Sequence, residues 1–242
     1  MVNERLIVPS SKEKAQNIPL VENADGRVCR LMAFVSWPFE LVVENQWAHA
    51  TEMHHDPVQC HHTKGTIFAW PDLLKGRDSD CQLVSETTDP NWVVITEFYD
   101  QHEPGSTISG IRDLRQGLYV PRVPGARTVQ VGLNASEDTC FLGYKEVQTD
   151  RTTALIYPDK ESRGLLCTKE SGKWEFWQTN YGQWGESPEW FENPEYYQRR
   201  GARKKFNRDI LIEYCERIGP DITNPELYHG RIAIIGPNQE KR

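Results

Sequence analysis

The stretch RVCRLMAFVSWPFELVV, residues 27–43, governs how the rest of the chain is read. It is largely apolar, β-branched or aromatic, and Pro38 interrupts it. Such side chains fit a pleated surface, and proline breaks a strand's hydrogen-bond ladder. Two strands meeting at a bend are therefore predicted, and a long helix is not.

Outward from this stretch, short runs of the same kind recur at roughly ten-residue spacing. Strands are predicted at 65–70 (GTIFAW), 82–85, 92–99 (WVVITEFY), 117–120, 128–133, 140–147, 152–157, 164–168, 174–178 and 231–235. Turn clusters such as Asp89-Pro90-Asn91, Pro104-Gly105-Ser106, Pro124-Gly125 and Ser171-Gly172 separate them. Past Gly182 an aromatic loop leads to a predicted helix at about 194–218. Asn193 caps it, Pro194 suits its first turn and Gly219-Pro220 stops it. Phe206, Ile210, Leu211, Tyr214 and Ile218 share one stripe and dock it on the sheet. The expected fold is mainly β (α+β): an antiparallel β-barrel or sandwich with one C-terminal helix packed on it. Residues 1–26 read as an N-terminal arm, and 27–242 as a single β-rich domain.

A net charge of −7 over 242 residues argues against general adhesion to nucleic acid or an anionic membrane, both of which reward a positive field. No apolar run approaches the roughly 20 residues of a membrane span. Residues 1–20 lack the apolar middle of a secretory signal, so a cytoplasmic location is expected. Cys29, Cys60, Cys81, Cys140, Cys167 and Cys215 are spread without a CxxC pair. Most read as buried thiols, with disulfides left open by the even count.

The most informative chemistry is a histidine-dense segment, read as a loop: WAHATEMHHDPVQCHHTKG supplies His49, His54, His55, His61 and His62, with Glu52, Asp56 and Cys60 among them. Imidazole, carboxylate and thiolate bind zinc, iron or copper, and neutral imidazole also serves as a general acid or base. There is no HExxH, so the residue types point to a site without naming one. Three uses stay open: a divalent metal site (iron or zinc) from His54, Asp56 and His61, acid–base work by His55, His62 and His102, and a merely solvated loop.

The triplet His54-His55-Asp56, with His102 and Arg112 further on, resembles the 2-oxoglutarate-dependent oxygenases. That resemblance implies ferrous iron held by two histidines and a carboxylate, with the arginine on the co-substrate carboxylate. Asp113 and Leu114 follow Arg112, where a serine or threonine is often found in that family. His61-x-Thr63 before GTIFAW is similar to one half of the two-histidine phosphoesterase signature; His229-Gly230-Arg231 does not supply the other half.

KWEFWQTNYGQWGESPEWF, residues 173–191, packs four tryptophans into a short span. On a strand at 174–178, alternation sets Trp174, Phe176 and Gln178 on one side and Glu175 and Trp177 on the other. Trp70, Arg112, Trp177 and Trp184 are the candidate ligand-binding residues. The basic run RRGARKK, residues 199–205, reads as a helix face, solvated or meeting an acidic partner. Neither GxGxxG, GxxxxGK[ST] nor GxSxG occurs. The expected function is a small-molecule-processing enzyme with a histidine acid–base or metal site at the mouth of a β-barrel-like cavity. The alternative is a non-catalytic ligand- or protein-binding module using the tryptophan-rich segment and the basic helix face. The partners expected are a small-molecule ligand or substrate and a second copy of the chain, with nucleic acid disfavoured.

Overall fold

A computed structural model describes residues 27–53, 58–69, 73, 81–100, 125–134, 139–146, 162–170, 172–180, 183–184 and 188–237. The strands are β1 (Arg27–Val35), β2 (Val58–Thr66), β3 (Gln82–Glu86), β4 (Val93–Asp100), β5 (Arg127–Asn134), β6 (Thr139–Glu146), β7 (Ser162–Glu170), β8 (Lys173–Asn180), β9 (Gln183–Trp184) and β10 (His229–Pro237). They form one antiparallel sheet in the order β2-β10-β3-β4-β1-β5-β6-β7-β8-β9. Among the described residues the sheet is open, with β2 and β9 at its ends. The mainly β, antiparallel expectation holds, and among the described residues the sheet does not close into a barrel. The strands predicted at 117–120 and 152–157 and the arm at 1–26 lie outside the described residues.

The opening stretch corrects its own prediction. Its first half is β1, but its second half starts a helix, α1 (Phe39–Met53). Pro38 explains the switch: the residue before a proline is held extended, while proline's fixed φ suits a helix's beginning. The Pro38 carbonyl accepts the first helical hydrogen bond, from Val42 N at 3.1 Å. Phe39, Val42, Val43, Gln46 and Ala50 are buried at helical spacing. They pack with Ala33, Val35, Val84, Val93, Ile95, Ala233 and Ile235 on one face of the sheet.

The opposite face carries Met32, Phe34, Leu83, Val94, Val129, Val131, Leu142, Leu165, Ile232 and Ile234, against the C-terminal helices. The predicted long helix is three short ones: α2 (Pro194–Tyr197), α3 (Ala202–Lys205) and α4 (Arg208–Ile218). Gly201, at φ 92°, and Asn207 break it. The Asn207 side chain accepts from Ile210 N at 3.0 Å, a new N-cap where the sequence suggested continuous helix. Asn193 and Gly219 act as predicted, and Phe206, Ile210, Leu211, Tyr214 and Ile218 are buried. The strand predicted at 65–70 is also displaced: Ile67–Ala69 is a 3-10 turn, and β2 lies before it. Pairing stops at Thr66 because its partner His229 is the first residue of β10. No helix among the described residues is long and apolar enough to cross a membrane.

Candidate functional site

The described parts of the histidine-dense segment are helix and strand. His49 lies on α1, and His61 and His62 lie on β2, an end strand of the sheet. His54, His55 and Asp56 fall in the connection between those elements, outside the described residues, as do Trp70, His102 and Arg112. The predicted oxygenase set lies wholly outside the described residues, and among those that are described there is no group of three or more potential metal-binding side chains.

Strand geometry sorts what remains. Side chains alternate along β2, so His61 and His62 face opposite sides and do not converge. Val58 and Cys60 pack against the α1 core, and the His62 ring meets Phe39 edge-on at 6.5 Å. Val58, Cys60 and His62 therefore share the α1 face. On the other face His61 Nε2 and Gln59 Oε1 lie 2.9 Å apart.

On the α1 face, Cys60 Sγ lies 3.6 Å from His62 Nε2. Cys60 is half-buried, and burial raises its thiol pKa. His62 is exposed. Beside the pair, Trp47 is 46% exposed and donates its indole N–H to the Val58 carbonyl at 3.4 Å. Pro237, opposite Val58 on β10, has no N–H to offer that carbonyl. Arg231 on β10 fastens α1 to the sheet: its Nη2 donates to Glu40 Oε1 at 2.6 Å and to Glu86 Oε1 at 2.5 Å, and its guanidinium lies over Phe39. These hydrogen bonds hold both carboxyls below their ordinary range.

The tryptophan-rich end is built differently. Alternation holds on β8 as predicted: Trp174 and Phe176 pack toward the C-terminal helices, and Trp177 packs toward the α1 face. Trp184 pairs with Thr179 at the β8–β9 edge. Beneath the segment before α2, Arg163 of β7 forms a buried ion pair with Glu192. Arg163 Nε donates to Glu192 Oε1 at 2.7 Å, and Nη2 donates to Oε2 at 2.8 Å and to Gln178 Oε1 at 3.1 Å. Glu189 N donates to Oε1 at 3.0 Å and the Tyr197 hydroxyl to Oε2. Each Glu192 oxygen has two donors, so this network is a closed lock and has no oxygen left to take a ligand's proton. Burial and the Glu192 charge push the Tyr197 phenol well above its usual range.

The basic run is no continuous helix face, since Gly201 divides it. Arg199 lies over Tyr196 at 4.1 Å and Arg203 over Trp174 at 4.8 Å, so two of its charges pack on aromatic faces. On β6, Glu146 is exposed and accepts from the Tyr144 hydroxyl at 2.8 Å. Sequence reasoning named Cys60 among the donors but did not pair it with His62. The signal depends on the strand: positions i and i+2 share a face only once β2 replaces the expected loop. The Arg163–Glu192 pair carries no such local signal, because its members are 29 residues apart.

Comparisons with protein-family models, with curated proteins and with solved structures found no match to this chain.

Proposed function

We propose that the chain is a small-molecule-processing protein that works through β2, where Cys60 and His62 supply a thiol and an imidazole for metal ligation or acid–base chemistry. The separation of Cys60 Sγ and His62 Nε2, 3.6 Å, carries the proposal. With Zn–S near 2.3 Å and Zn–N near 2.0–2.1 Å, two ligands at a tetrahedral angle on one zinc stand about 3.6 Å apart. The pair thus has the spacing of two ligands on one ion, on a strand that fixes it. A half-buried thiol beside an exposed imidazole suits a soft divalent metal of the zinc class better than a hard, oxygen-loving one. No barrel-like enclosure is required, since the pair stands at the sheet's edge.

Cobalt(II) titration tests this, because cobalt takes zinc sites and gives a sulfur-to-metal absorption band when a thiolate binds. The band is expected in the native chain and absent in Cys60→Ala. A native chain with no such band would remove the metal form of the proposal.

A second reading, a non-catalytic binding module at the aromatic end, draws on Trp190, which is 61% exposed. A large exposed aromatic is a common anchor for a partner or planar ligand. Trp190→Ala is expected to weaken such binding without altering the cobalt band.

A further inference from the structure

We infer that the Cys60–His62 pair is half of a metal site, completed by the same pair of a second copy through edge-to-edge pairing of β2. The inference rests on the role proposed above for Cys60 and His62. A structural zinc takes four protein ligands. One β2 strand offers two on its α1 face, and among the described residues no group of three or more donors forms.

β2 is suited to supply the rest from a second chain. It is nine residues long and, among the described residues, ends the strand order, paired with β10 on one side. Such an edge presents backbone N–H and C=O groups that fit another copy of the same strand. A two-fold axis perpendicular to the sheet pairs β2 with its copy antiparallel, and an axis through His61 sets each Cys60 opposite the other copy's His62. Directly opposed residues in antiparallel strands share a face, with Cβ atoms about 4.5–5.5 Å apart. The two thiols and two imidazoles then stand together on one face, a Cys2His2 donor set around the axis.

Neighbouring residues agree with that register. It sets Lys64 of one copy opposite Val58 of the other, where Trp47 is hydrogen-bonded to the strand and half-exposed. Helical spacing puts Glu44 on the same flank of α1 as Trp47. The lysine thus approaches an aromatic face and a carboxylate, a favourable pairing repeated by symmetry. His61, on the axis, lies on the opposite face and does not obstruct the four donors.

The test measures mass and metal content together. The full chain is freed of metal, then given zinc, and its mass is read by light scattering after gel filtration, with zinc counted per chain. Doubling of the mass at one zinc per two chains, reversed by chelator, is expected. Cys60→Ala and His62→Ala are each expected to stay at monomer mass with zinc. Because His62 is exposed, the second variant folds even if the first does not. Zinc bound at one per chain with no change in mass would overturn the second-copy inference while leaving the role of Cys60 and His62 intact, and would point to donors among His54, His55 and Asp56. No bound zinc and no doubling would overturn both.

Discussion

The two ends of the sheet handle charge in opposite ways. At β7 and β8, the Arg163 and Glu192 side chains are buried and every Glu192 lone-pair direction is used by the protein. At β2 and β10, Arg231, Glu40 and Glu86 meet at the surface, on the same face of the sheet as the thiol–imidazole pair. A buried charge must be paired to exist, so the first network is committed to holding the aromatic segment and helices on the sheet. An exposed pair costs little desolvation and contributes little to stability. The proposed chemistry is therefore assigned to the exposed end, although aromatic density first draws the eye to the other.

The largest effect expected lies at the buried end. Arg163→Ala or Glu192→Ala leaves an unpaired charge inside and is expected to cost about 3–5 kcal/mol in urea denaturation. A cost below about 1 kcal/mol would break the contrast between the two ends, since that is the range of surface pairs.

Tyr197→Phe removes one donor to the Glu192 carboxylate and is expected to cost about 1–2 kcal/mol near neutral pH. The phenols also set an alkaline limit. Tyr144 is pushed from 10.0 up to about 12, chiefly by burial, with its hydrogen bond to Glu146 adding to the shift. Folded Tyr144 keeps its proton when the unfolded phenol has lost it. Its contribution is complete below pH 10.0 and is lost as pH rises toward about 12. Denaturation midpoints in Tyr144→Phe are expected to fall less steeply across that window than in the native chain.

The smallest effect belongs to the surface clamp. Arg231 lowers Glu40 and Glu86 below 4.5, so their contribution is complete above that pH and is lost as pH falls below it. Glu86→Gln is expected to leave neutral-pH stability nearly unchanged and to flatten the acid limb of a midpoint-against-pH curve. A large loss at neutral pH would mean that the clamp is structural in the manner of the buried pair.

Much of the fold was legible because alternation and turn residues mark half-buried strands well: β3 to β8 and β10 lie where apolar alternation predicted them. α1 was not, because Phe39, Val42 and Val43 are β-branched or aromatic and Pro38 looks like a strand break. Its helical stripe, Phe39, Val42, Val43, Gln46 and Ala50, runs on into the polar residues that read as the start of a loop. The break at Asn207 was hidden for a similar reason, since an asparagine inside a helical pattern shows its capping role only when its side chain turns back on the backbone. At the candidate site, Cys60-x-His62 was readable only once β2 was known to be a strand. The separation of His61 from His62 follows from the same fact, and it sets apart two of the five histidines that the composition groups.

X-ray absorption at the zinc edge of the loaded, full-length chain tests the central claim most directly. A mixed shell is expected, with sulfur at about 2.3 Å and nitrogen at about 2.0–2.1 Å, losing its sulfur in Cys60→Ala. A shell of nitrogen and oxygen alone, unchanged by that substitution, would contradict the assignment of Cys60 and His62 as the working pair.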